Sequence, residues 1–157
     1  MKNISLLLKI LSFLALVFIW IYTIIYFSKL PETVPTHFGI NGKADGFGSK
    51  SSLWHIPFIA ILNFLLLFYM SKNKDFTFLN IPKNLKENTA FSVLCIDILN
   101  FWTMLLFAVI TYETIQTSLG NMQGISSVTN YLIGFILIFT IAMMVYSYRL
   151  SKKMKQT

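Results

Sequence analysis

The sequence predicts an all-α membrane protein, a bundle of four transmembrane helices, and three observations carry that prediction: an apolar composition, four long apolar runs, and lysines that sort by side. Of the 157 residues 55% are hydrophobic and 12% are charged, with a mean hydropathy of +0.66. A soluble domain of this length has too little interior to hide so much apolar surface. A hydrocarbon core about 30 Å thick is crossed by roughly 20 mostly apolar helical residues. Four such runs occupy residues 10–27, 53–70, 90–112 and 128–148. Backbone groups in lipid must bond within the segment, so each run is helical.

The first run is too long for the core of a cleaved leader, and Ser28-Lys29-Leu30-Pro31 has no small-x-small cleavage pattern. It is read as a retained signal anchor. The net charge of +7 is explained by position rather than by nucleic acid, which is not expected as a partner. Lys2 and Lys9 precede the first span; Lys72, Lys74, Lys83 and Lys86 lie between the second and third; Arg149, Lys152, Lys153 and Lys155 follow the fourth. Only Lys29, Lys43 and Lys50 fall in the other loops. The positive-inside rule then puts both termini and the middle loop on the cytoplasmic side. Tyr22, Tyr26, Trp54, Tyr112 and Tyr131 mark the outer span ends and Tyr69, Tyr146 and Tyr148 the inner ones, as an aromatic belt does. Cys95 is the single cysteine and lies in the third span, so it is read as an apolar packing residue.

The connections differ in chemistry. The outer loop 28–52 holds Gly39, Gly42, Gly46 and Gly48 with Pro31 and Pro35, a dense set of turn signals. Asn41-Gly42 is a two-residue hairpin signal, so a small β-hairpin is predicted over 36–45, with Phe38, Ile40 and Phe47 as its anchors. The inner loop 71–89 carries an apolar patch, Phe76, Phe78, Leu79 and Ile81, suited to headgroups, and Asn84 with Glu87 three residues on reads as a capping box for the third helix. A short outer loop follows at 113–127. The whole chain is expected to form a single integral membrane domain.

The stretch Leu30-Pro31-Glu32-Thr33-Val34-Pro35-Thr36-His37-Phe38-Gly39, then Asn41-Gly42, Asp45-Gly46, Gly48-Ser49-Lys50 and Pro57, resembles the domain of unknown function at the N-terminus of SdpI-type immunity proteins. Lys86-Glu87-Asn88, Tyr112-Glu113-Thr114-Ile115-Gln116 and Leu119-Gly120 are similar to stand-alone members. The resemblance implies a small multi-pass protein of the bacterial cytoplasmic membrane, and, from SdpI itself, toxin immunity or membrane signalling. It implies no catalytic activity.

Two sets of residues are candidates for function. His37, Asp45, Ser49 and Lys50 share the outer loop, and the hairpin would bring His37 toward Asp45. A Ser-His-Asp hydrolase lacks a nucleophile elbow here, and a metal site built from His37, Asp45, Glu32 and His55 lacks a ligand spacing. Recognition of an extracellular peptide or envelope ligand suits residues on a loop held by a rigid scaffold. Against it stands a local role: Asp45 and Ser49 closing turns, His37 capping or pairing nearby. The second set is Asp97 and Asn100 in the third span, where an intramembrane carboxylate points either to a small transporter or transporter subunit, or to a structural bond with Asn63 or another polar helix residue. No enzyme activity, cofactor or metal is expected. The expected partners are the lipid bilayer, an outer ligand, and a membrane partner or second copy of the chain.

Overall fold

The computed structural model describes residues 1–73 and 89–154, and its elements run α1 (Lys2–Phe27), β1 (Thr33–Phe38), β2 (Ala44–Ser49), a 3-10 turn (Lys50–Trp54), α2 (His55–Lys72), α3 (Thr89–Ser118) and α4 (Ser127–Met154). The inner-loop apolar patch and the Asn84–Glu87 capping box lie outside the described residues. Four helices are long and apolar enough to cross a membrane, with a two-stranded antiparallel sheet between the first two.

Each buried stripe follows helical spacing. On α1 the buried residues are Ser12, Leu16, Ile19 and Thr23, and on α2 they are Pro57, Ala60, Phe64, Leu67 and Ser71. Both stripes repeat at intervals of three and four, one face of a 3.6-residue helix. They meet α3 along Asp97, Asn100, Met104, Ala108, Thr111 and Ile115. Leu16, Ile19, Ala60, Phe64, Met104 and Ala108 form the mid-membrane core. The remaining apolar surface, such as Leu14, Phe18, Leu62, Leu65, Ile138 and Met144, faces outward, as lipid-facing side chains must.

Small and hydroxylated residues at the seams let the helices approach. Their hydroxyls are satisfied along their own helices: Ser12 Oγ donates to the Leu8 carbonyl at 2.8 Å, Thr23 Oγ1 to Ile19 at 2.8 Å and Thr111 Oγ1 to Phe107 at 2.7 Å. One polar bond crosses between helices near mid-bundle, Asn63 Nδ2 to Thr103 Oγ1 at 3.1 Å. Helix α4 packs on α3 and buries only Thr129 and Leu132 among its described side chains, leaving most of its circumference outward. Gly134 makes no close helix contact: a Cβ there would meet nothing within 4 Å among the described residues.

The helices outrun the predicted spans. Apolar-run counting ends a helix where polar residues begin, whereas the backbone continues wherever its side chains find partners. Helix α1 begins at Lys2 because Ser5 and Lys9 face α3, and α3 runs on to Ser118 because Glu113 and Ile115 are buried. At 1.5 Å per residue its 30 residues span about 45 Å, so α3 projects past the hydrocarbon and carries the hairpin cap at one end.

Candidate functional site

The hairpin is longer than predicted and differently anchored. Its ladder runs from Thr33 opposite Ser49 to Phe38 opposite Ala44, with irregular register on either side of His37. Gly42 sits in the turn at φ +78°, where a side chain is strained. The anchors are not Ile40 and Phe47, which are 98% and 63% exposed, nor the half-buried Phe38. Val34 of β1 is fully buried instead and joins Leu30, Leu53 and Ile115 in a second apolar cluster. A two-stranded hairpin is marginal alone, and this cluster supplies the packing that holds it. The physical reason for the difference is strand alternation: Val34 points to the helix ends, while Phe47 lies on the other strand opposite Pro35.

A second attachment ties the hairpin turn to the α3–α4 connection. The Ile125 amide donates to the Gly42 carbonyl at 2.9 Å, and Thr117 Oγ1 donates to the Gly124 carbonyl at 3.2 Å. The two chain segments approach so closely that a Cβ on Gly42 would lie 2.3 Å from the Ile125 oxygen, and one on Gly124 2.1 Å from the Gly42 oxygen. Under the connection, Glu113 is buried and accepts from Ser126 Oγ and from Thr129 Oγ1, the latter at 2.6 Å. Gln116 Nε2 donates to Tyr22 Oη, whose ring stacks among Phe18, Tyr26 and Tyr112. Several residues of the predicted aromatic belt are thus also packing partners of one another.

Between hairpin and connection lies an open cleft of about 450 Å³, lined by Thr33, Pro35, Lys43, Ala44 and Phe47 on one side and Thr117, Ser118, Met122 and Gln123 on the other. None of the four outer residues singled out in the sequence lines it. His37 and Asp45 do meet, as an exposed pair through Nδ1 and Oδ1. Lys50 pairs with Glu32 at 2.8 Å and lies over the Phe27 ring. Ser49 caps the 3-10 turn, accepting from the Ser51 amide at 3.4 Å, and its carbonyl accepts from Ser52 Oγ at 2.7 Å. Ser49 stands three residues along β2 from Gly46, the partner of His37, roughly 10 Å away at strand rise. Serine, histidine and aspartate are therefore not assembled as a nucleophilic site. Among the described residues no three of His, Cys, Asp and Glu converge as metal ligands would.

At the opposite end, Asp97 and Asn100 are buried on one face of α3. Asp97 bonds neither Asn63 nor any residue of α2; its Oδ2 accepts from Ser5 Oγ and pairs with Lys9 Nζ at 3.3 Å. The cation comes from the first turns of α1, which apolar-run counting had left outside the helix. Glu113 is the second acidic residue in a spanning helix among the described residues; the apolar run ends at Tyr112, which by sequence puts Glu113 in the following loop. The hydroxyls of Ser126 and Thr129 were its signal, sixteen residues or fewer downstream across a turn.

Fold and sites together define a multi-pass membrane protein with a small cap at one end of its helices. Residues 14–61 match the family model described as a domain of unknown function, DUF1648. That match covers about half of α1, the whole hairpin, the 3-10 turn and the start of α2, and leaves out the α3–α4 connection against which the hairpin docks. The chain is similar to an uncharacterized protein of Archaeoglobus fulgidus, 37% identical over 78 residues, covering 46% of this chain and 43% of that protein. The matched segment thus spans less than half of the relative's length. No solved structure matches the chain.

Proposed function

We propose that the chain is a non-enzymatic protein of a prokaryotic cytoplasmic membrane, with both termini on the cytoplasmic side, that recognises a peptide or other envelope ligand with its outer cap. The observation that supports this reading most is the docked hairpin and the cleft it forms with the 117–123 segment. A connection that merely joined two spans would need no second attachment. Here two backbone segments are held in contact, leaving a concave surface on a rigid support, where binding residues favour sitting.

In this reading the cleft, rather than the His37–Asp45 pair, makes the contact. Lys43 enters no ion pair among the described residues and offers a cation, while Phe47 and Met122 offer apolar surface. The pairs His37–Asp45 and Lys50–Glu32 brace the two ends of the hairpin. The orientation rests on the lysines and Arg149 flanking the inner ends. The resemblance to SdpI-type proteins favours immunity to a membrane-active peptide, with sensing as the related role. The outward face of α4 is left for lipid or for a second membrane chain.

The test is survival of a sensitive bacterial host expressing the chain, or its Lys43→Ala and Phe47→Ala variants, against a panel of membrane-active peptides at matched membrane levels. Protection by the wild type that either variant loses is the expected result. A wild type that protects against no member removes the immunity reading.

A further inference from the structure

The polar assembly around Asp97 joins α1 to α3, and among the described residues it is left incomplete. Asp97 is 1% exposed and Asn100 2%, one turn apart on the same face of α3. Asp97 Oδ2 is fully engaged by Ser5 Oγ and Lys9 Nζ, and Lys9 Nζ also donates to Ser5 Oγ at 3.3 Å. Asp97 Oδ1 and Asn100 Oδ1 have no hydrogen-bond partner among the described residues. Two adjacent buried acceptors without a donor are costly, so something beyond the described side chains answers them.

We infer that Asp97 Oδ1, Asn100 Oδ1 and Ser5 Oγ form a site for a monovalent, sodium-sized cation, which exchanges with the Lys9 ammonium. Hard cations take oxygen ligands, and one carboxylate balances a single positive charge rather than two. The Lys9 side chain keeps 18% of its surface exposed, so its flexible stem can carry the ammonium out to the headgroups. When it leaves and a cation enters, the carboxylate stays neutralised, which avoids a buried unpaired charge. The cation gains the two oxygens that Lys9 does not reach. Asp97 lies about 10 Å from Ala90, the first residue of its span, so entry is from the inner side. This site is separate from the outer cleft, and its test does not depend on what the cleft binds.

The experiment is thermal unfolding of the full chain in detergent, with sodium chloride against N-methyl-D-glucamine chloride at equal ionic strength. Sodium should raise the wild-type midpoint progressively with the logarithm of its concentration, by about 5 °C where it is well above its apparent Kd. Lys9→Met, lacking the competitor, should reach the same rise at roughly ten-fold lower sodium. Asp97→Asn and Asn100→Ala should lose the shift. Equal midpoints in the two salts for wild type and Lys9→Met overturn the inference and leave a buried water as the donor. Retention of the full shift in Asp97→Asn overturns it as well. Should Lys9→Met fail to fold, the wild type against Asn100→Ala decides the matter alone.

Discussion

Replacing Gly124 with alanine probes the attachment on which the hairpin cap depends. The new Cβ would lie 2.1 Å from the Gly42 carbonyl oxygen, 1.3 Å inside the 3.4 Å at which ordinary contact begins. That oxygen is backbone and accepts from the Ile125 amide, so no side chain can swing aside. Gly124 also sits at φ +147°, a conformation that disfavours a side chain. The hairpin turn must therefore separate from the connection. Losing the Ile125–Gly42 bond costs about 0.5–1.5 kcal/mol, and the positive φ adds roughly 1–2 kcal/mol. The sum, about 1.5–3.5 kcal/mol, corresponds to a midpoint lowered by roughly 3–14 °C for a chain of this size. The same change should raise amide exchange at Ile125 while the mid-membrane helices stay protected. Gly120→Ala is the control, because Gly120 has φ +78° but nothing within 4 Å of its Cβ; it should show the strain alone and leave Ile125 protected. A Gly124→Ala protein with wild-type melting and unchanged Ile125 exchange would refute the docking described above.

Two further substitutions read other parts of the fold. Gly134→Ala on α4 should raise the midpoint, since a helix-interior glycine is about 0.8–1.0 kcal/mol less favourable than alanine and the added methyl meets open space; a lower midpoint would mean that α4 packs tightly there. Ile115→Ala, at a fully buried position on α3 beneath the hairpin, should cost about 2–5 kcal/mol and expose the bond after Lys43 to trypsin added to the protein in detergent, and a resistant hairpin would count against the Val34–Ile115 cluster as its anchor.

The bundle was legible because lipid makes its demands on long stretches of chain. Twenty apolar residues in a row admit one backbone solution, so each span could be read with no knowledge of its neighbours. The turn at Asn41-Gly42 was legible in part: Gly42 adopts the positive φ that a two-residue hairpin turn needs, whereas Asn41 does not, and the strands are joined by a longer turn in which the Gly42 amide donates to the Gly39 carbonyl at 2.8 Å. What could not be read was set by contacts between distant segments. Nothing near Val34 says that it, rather than Phe47, meets Ile115, some eighty residues away. Nothing near Lys9 says that its partner is Asp97. The cleft is the extreme case, since Thr33 and Met122 become neighbours only after the hairpin docks on the connection. The His37–Asp45 pair was visible because a short hairpin makes its contacts at small sequence separation.

Helix α3 decides how the two buried carboxylates can act. Asp97 and Glu113 are separated by sixteen residues, about 24 Å along the axis and about 160° around it. They therefore face nearly opposite sides, Asp97 toward Ser5 and Lys9 of α1, Glu113 toward Ser126 and Thr129 at the start of α4. Between them on the α1 side the seam is closed by Met104 and Ala108, with Ile19 fully buried against them. A continuous polar path linking the two carboxylates would have to wind half a turn around α3 through this apolar layer. The geometry favours two independent polar devices, one exchanging a cation at the Asp97 end and one fastening the hairpin cap at the other, over a single relay through the bundle. Glu113 has both oxygens answered by hydroxyls and serves as a fastener; Asp97 has one oxygen unanswered among the described residues, and that asymmetry is what separates a site from a strut.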